Sequence, residues 1–233
     1  MDRDEILSHD ARLLDLWERA VGLDRWRRED ALLSGGQPPP RALGRRNAAL
    51  LELRSACFGR AWPLRSLCPA CSTECEFEAD SMALAELAKN PGDAAGLFDW
   101  KGRAVELRAP TIDDLIAAAD APDAASAILA RCVSGALDPA VLTADEIDEL
   151  GGLLEGLDAG AAIGFDLDCP ACGHRWSAMV DVGDALWIEL RAAAERLLLE
   201  VDALARAYGW SESDVMRLSP ARRAAYLQLV EAA

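Results

Sequence analysis

The chain of 233 residues contains no run of the ~18 consecutive apolar residues that a membrane-spanning helix needs, so a membrane is excluded as a partner through such a helix. Its first residues, Met1-Asp-Arg-Asp-Glu, lack an apolar stretch, and no secretory signal is expected. Only two histidines occur, His9 and His174, and neither stands in a pattern with a serine or cysteine nucleophile. Acyl-transfer machinery is therefore not visible, and no catalytic residue is assigned. Nor is there a glycine-rich phosphate loop: Gly151-Gly152 sits in a helical pattern with no Lys-Ser or Lys-Thr after it. Aromatic residues are only 6%, against an alanine- and leucine-rich background, which favours helices over an all-β fold. Cations are scarce as well. The 24 Lys and Arg face 40 Asp and Glu, a net charge of −16, which argues against general nucleic-acid binding.

What the chain does have is a repeated cysteine motif. Cys68-Pro-Ala-Cys71 and Cys169-Pro-Ala-Cys172 are separated by residues 72–168. Leu67 precedes the first copy, which runs on to Cys75, Phe77 and Ala79. Leu167 and Asp168 precede the second, which runs on to Trp176, Ala178 and Val180. Each copy reads as strand, tight turn, strand, and two such turns supply the four thiolates of a tetrahedral zinc site. Cys68, Cys71, Cys169 and Cys172 are the expected ligands of a structural zinc, two halves of one zinc ribbon joined around a long insertion. A thioredoxin-type redox pair fits less well, because neither motif ends a strand and opens a helix. Turns that have lost their metal are the remaining alternative. Cys57, Cys75 and Cys132 lie in apolar surroundings and read as core, a pattern suited to a reducing cytoplasm. His174 is an outside candidate to replace a thiolate, and His9 an isolated polar-face residue.

Hydrophobic residues make up 52%, enough for a core. Ile6, Leu13, Leu14, Trp17 and Val21 predict a helix over 4–21, Gly35-Gly36 and Pro38-Pro39-Pro40 a loop, and Leu43 to Leu53 a helix over 41–57. Hairpins are expected at 63–68/74–79, at 97–100/103–108 turning on Lys101-Gly102, and at 162–168/175–182. Helices are expected at 81–89 from Ser81, after Thr111, and at about 122–134 and 143–157, the last opened by the capping box Thr143-Ala-Asp-Glu146. Asp113-Asp114, Asp145-Glu146 and Asp148-Glu149 stand near these helix starts, where capping accounts for them. A long helix over 184–208 carries the stripe Trp187, Leu190, Ala194, Leu197, Val201, Leu204 and Tyr208. Gly209 ends it, and short helices start at Ser211 and at Ser219-Pro220. The expected architecture is α+β: zinc-ribbon-like hairpins embedded in a mostly helical protein. Its expected parts are a helical subdomain (1–60), the split ribbon with its insertion (61–183) and a C-terminal helical part (184–233).

The last part has the rhythm of a helix-turn-helix, yet Glu212 and Asp214 stand where a DNA reader wants cations, and Arg222-Arg223 is the only local basic pair. Protein contact is favoured over DNA, with Trp187, Tyr208, Trp210, Met216 and Tyr226 as candidate anchors, or as core.

The order of these segments resembles a known family. The segments are the first CPAC hairpin with Glu76-Phe-Glu78, Val105-Glu-Leu-Arg-Ala-Pro-Thr111, Leu129-Ala-Arg-Cys-Val133, the CPACGH motif with Arg175-Trp176 and Leu186-Trp-Ile-Glu-Leu190. Ala207-Tyr-Gly-Trp-Ser211 and Leu218-Ser-Pro-Ala-Arg-Arg-Ala-Ala-Tyr226 close the series. Over residues 45–230 the chain is similar to baseplate proteins of contractile phage tails and phage-tail-like injection systems, relatives of the T-even phage baseplate hub assembly chaperone. The resemblance implies a non-enzymatic assembly factor or minor baseplate component whose partners are other baseplate or tail proteins. Such a protein is expected in the cytoplasm or incorporated into a tail-like particle. The alternative is a zinc-ribbon regulator that binds nucleic acid through the C-terminal helices.

Overall fold

A computed structural model describes residues 9–89, 95–134, 137 and 141–232. It is a mixture of helices and small antiparallel sheets, and the α+β class is as expected. The described residues form two compact units: one is residues 33–183, and the other combines the chain up to Leu32 with the chain from Asp184 onward. The first two helices thus group with the C-terminal helices, and the third with the hairpins. Local periodicity does not carry such a long-range pairing.

In the 33–183 unit, α3 (Leu43–Phe58) leads into hairpin β1 (Ala61–Leu67) and β2 (Glu74–Asp80), then α4 (Ser81–Lys89). The register pairs Ser66 with Cys75 and Leu64 with Phe77. Helix α4 is capped by Asp80, whose Oδ1 accepts from the amides of Met82 (2.9 Å) and Ala83 (3.1 Å). The helix starts at Ser81 as expected, and Ser81 is buried and donates its hydroxyl to the Arg60 carbonyl at 3.0 Å. Next come β3 (Ala95–Trp100) and β4 (Arg103–Arg108), turning on Lys101-Gly102, with α5 (Ile112–Ala118), α6 (Ala124–Cys132) and β5 (Val133–Ser134) following. The two residues of β5 extend the β3–β4 sheet along its β4 edge, a strand too short for any sequence period to announce. Then α7 (Ala144–Leu157) precedes the last hairpin, β6 (Ile163–Asp168) and β7 (Arg175–Val180). Trp100, Val105, Leu107, Leu129, Cys132, Leu150, Leu154 and Leu157 form a core between the middle sheet and α6–α7.

Two of the three acidic pairs at the helix starts supply a cap, through Asp114 and Glu146, while Asp113 pairs with Arg41. Glu146 accepts from the Thr143 amide at 2.9 Å and from Lys101 Nζ at 2.8 Å; the Lys101 contact, more than the cap, pulls its carboxyl down to about 2. Asp114 is 1% exposed and accepts from the Thr111 amide (2.9 Å), Arg108 Nη1 (2.6 Å) and Arg131 Nε (2.8 Å). The Arg108 hydrogen bond is the main reason its carboxyl lies well below the ordinary range. The two ends of the unit also meet. Asp158, buried after α7, accepts from the Gly44 amide at 2.8 Å in the first turn of α3, and Asn47 Nδ2 donates to the Gly160 carbonyl at 2.9 Å. Gly160 packs so tightly on Ala88 that a Cβ there would stand 2.6 Å from the Ala88 carbonyl oxygen.

The other unit is helical in its described residues: α1 (His9–Ala20), α2 (Arg25–Leu33, its last residue counted with the first unit), α8 (Val182–Tyr208), α9 (Glu212–Met216) and α10 (Pro220–Glu231). The described residues begin at His9, the first residue of α1, so the start of the helix expected over 4–21, with Ile6, lies outside them. Helix α2 was not anticipated; its polar sequence RWRREDALL buries only Glu29 and Leu32 and leads into glycines and prolines. The long helix matches its sequence pattern: Leu190, Ala194, Leu197 and Leu204 are buried, Val201 is half-buried, and Tyr208 reaches the surface at 39% exposure. Ser211 with Asp214, and Ser219 ahead of Pro220, cap α9 and α10 as expected.

Candidate metal centre

Each cysteine motif is a turn closing its hairpin, and the two turns repeat each other bond for bond. In the first, the Cys68 amide donates to the Thr73 carbonyl (2.9 Å) and the Ser72 amide to the Cys68 carbonyl (2.8 Å). In the second, the Cys169 amide donates to the His174 carbonyl (2.9 Å) and the Gly173 amide to the Cys169 carbonyl (2.9 Å). Both turns need a left-handed residue at the fifth position. Gly173 takes it at φ 72°, and Ser72 adopts it at φ 58° against the preference of an L side chain.

The hairpins meet through Phe77 and Phe165, ring centroids 5.0 Å apart, and this contact brings the turns together. The four sulfurs of Cys68, Cys71, Cys169 and Cys172 lie within 4.8 Å of one another. Cys71 Sγ is 3.6 Å from Cys169 Sγ, and Cys68 Sγ 3.7 Å from Cys172 Sγ. Four sulfurs at about 2.3 Å from a central ion stand about 3.8 Å apart, so the observed spacing fits a tetrahedral thiolate site. Cys68 and Cys169 are buried at 1% and 3%, while Cys71 and Cys172 are exposed.

The charge on the sulfurs points the same way. Cys71 is pulled down to about 6, first by its hydrogen bond with the Thr73 side chain and then by the Thr73 amide. At Cys172 the His174 amide favours the thiolate, but the hydrogen bond with Cys71, burial and the sulfurs of Cys169 and Cys68 outweigh it and push the thiol up to about 12. Without a cation the cluster does not hold four negative charges side by side; a divalent ion at its centre removes that conflict.

Two further residues flank the sulfurs. Cys75 and Trp176, seven residues after the first cysteine of each motif, both pack on the Cys68–Cys169 cluster. Cys75 is 8% exposed, and burial raises its thiol. It was read from the sequence as core, and it is buried; that it touches the sulfur cluster follows from the meeting of the hairpins and has no signal in its own neighbourhood. His174 is exposed, stacks on Trp176 with centroids 6.3 Å apart, and does not belong to the four-sulfur group.

The candidate partner residues divide. Tyr208, Trp210 and Tyr226 pack on one another, with centroids 4.7 to 5.6 Å apart, and remain partly accessible. Met216 is half-buried. Trp187 is 9% exposed with the Arg28 guanidinium 5.1 Å over its ring, a core position within its unit. Compared with protein-family models, with curated proteins and with solved structures, the chain matches none. No helix among the described residues is long and apolar enough to cross a membrane.

Proposed function

We propose that Cys68, Cys71, Cys169 and Cys172 hold one structural zinc ion, and that the chain is a non-enzymatic protein acting through protein contacts. The observation that carries the metal reading is the convergence of four sulfurs, from turns far apart in sequence, to within 4.8 Å of one another. Zinc suits an all-thiolate tetrahedral shell, and with four protein ligands it has no open position for a substrate or water. Its role is to lock the β1–β2 and β6–β7 hairpins to each other around residues 72–168, so that its binding free energy adds to folding. Cobalt(II) exchanged into the purified protein tests the shell: intense d–d bands with thiolate charge transfer are expected, and the weak spectrum of octahedral, oxygen-bound cobalt would overturn it.

The biological reading is an assembly factor or minor component of a contractile-tail baseplate. It is supported by the sequence resemblance over residues 45–230 and by a surface of high negative charge, suited to a soluble binding protein. Co-purification with tagged tail and hub proteins from cells producing the particle tests it. Stable association with a hub or wedge protein is expected, and its absence in particle-producing cells would count against the reading. Nucleic-acid binding is the second reading. One observation weighs against it: Arg223, half of the basic pair in the C-terminal helices, is 3% exposed and bound to Asp10 at 2.6 Å and Glu200 at 2.9 Å. Such a guanidinium is not free for phosphates.

A further inference from the structure

The sulfur cluster is asymmetric in a way that a purely structural site does not require. Each motif buries its first cysteine and exposes its second. The two short sulfur contacts run from one motif to the other, and each joins an exposed sulfur to a buried one: Cys71 to Cys169 at 3.6 Å and Cys172 to Cys68 at 3.7 Å. Solvent therefore delivers an oxidant to Cys71 and Cys172, and each of them has a buried sulfur of the opposite hairpin within 3.7 Å.

We propose that this centre is also a site of oxidative modification by hydroperoxides, at which Cys71 couples to Cys169 and Cys172 to Cys68. The proposal rests on the metal reading, because thiolates are the nucleophiles and a bound cation keeps all four sulfurs in that form. Cys71 Sγ attacks one oxygen of hydrogen peroxide, the O–O bond breaks, hydroxide leaves, and the sulfur becomes a sulfenic acid. Cys169 Sγ attacks that sulfur, the S–S bond forms, and a second hydroxide leaves. Cys172 and Cys68 repeat the sequence. Four thiolates and two peroxides give two disulfides and four hydroxides, and the cation loses its ligands.

The consequence follows from which sulfurs pair. Cross-motif disulfides join the same two turns that the metal joined, so residues 72–168 remain a closed loop in the oxidised, metal-free protein. Disulfides within each Cys-Pro-Ala-Cys motif would instead leave the hairpins without a covalent link. The site as proposed exchanges one cross-link for another when it meets peroxide.

Trypsin separates these outcomes cleanly. Residues 66–89 contain no internal Lys or Arg and carry Cys68, Cys71 and Cys75; residues 132–175 likewise contain none and carry Cys132, Cys169 and Cys172. The full chain, as purified, is treated with two equivalents of hydrogen peroxide. Free thiols are alkylated, released zinc is measured with a chromogenic chelator, and the digest is mapped by mass spectrometry. One zinc released per chain is expected, with the two peptides joined through Cys71–Cys169 and Cys68–Cys172. Unlinked peptides with internal disulfides, sulfurs that stay reduced, or a principal disulfide through Cys75 would overturn the proposal. A protein purified without zinc would defeat the structural-zinc reading and this proposal with it, whereas zinc released with any other sulfur pairing would defeat this proposal alone.

Discussion

Asp114 shows how a single residue can anchor a segment. It is almost wholly buried, yet it meets two guanidinium groups and its own helix cap, so its charge is compensated. Asp114→Asn takes away the charge in its hydrogen bonds to two guanidinium groups that stay partly exposed, and it is expected to lose roughly 1–3 kcal/mol in urea unfolding. Its depressed carboxyl also fixes a pH dependence. The folded state favours the charged form, so the stabilisation is full above the unfolded value of about 3.9 and is lost as pH falls toward the lower folded value. Below about pH 4 the wild type is expected to lose stability faster than Asp114→Asn; parallel curves would remove Asp114 from the account. The cysteines allow a comparison at the same scale. Cys132 is buried in the middle core, so Cys132→Ser is expected to cost roughly 1–3 kcal/mol, the penalty of an unpaired hydroxyl. Cys68→Ser and Cys169→Ser should cost more if each removes a ligand of the proposed zinc, and equal thermal shifts for all three would undo the ligand assignment. The convergence of Cys68 with Cys71, Cys169 and Cys172 was legible in the sequence because the Pro-Ala turn repeats, whereas the contact of Cys75 with the sulfurs was not.

At the scale of elements, the capping residues and turns were readable and the tertiary joints were not. The capping box Thr143-Ala-Asp-Glu146, the Lys101-Gly102 turn and the Gly209 stop each depend on residues a few positions apart, which a sequence displays. Helix α2 escaped because its residues lack an apolar period, and β5 because it exists only as an addition to β4. The joint of Asp158 with the start of α3 links residues 114 positions apart. That joint makes its own prediction. In Gly160→Ala the added methyl would meet the Ala88 backbone, which cannot swing aside as a side chain could. A loss of about 2 kcal/mol is expected by chemical denaturation, of the order of overpacking in a core. An unchanged midpoint would show that the 158–161 segment is free to move. At the turns, Gly173→Ala should cost about 1 kcal/mol for the left-handed conformation, while Ser72→Gly should be neutral or slightly stabilising.

For the whole molecule, the division into two units assigns different work to different parts. The 33–183 unit carries the sulfur centre and the joint between its ends, while α1, α2 and α8–α10 carry the partly accessible aromatic trio of Tyr208, Trp210 and Tyr226. The sequence showed the α+β class and the long helix directly. The grouping of α1 with α8 had no local signature, since it depends on the chain returning to its start after some 150 residues. If the metal closes the 33–183 unit, a strong chelator should lower the melting temperature of the wild type and leave the Cys68→Ser variant unmoved. The most direct measurement of the central claim is metal content by elemental mass spectrometry, made on the purified protein and on Cys68→Ser. One zinc per chain, lost in the variant while other metals stay at background, is the predicted result. A well-folded wild-type protein without zinc would contradict the account and leave the two cysteine motifs as turns that need no ion.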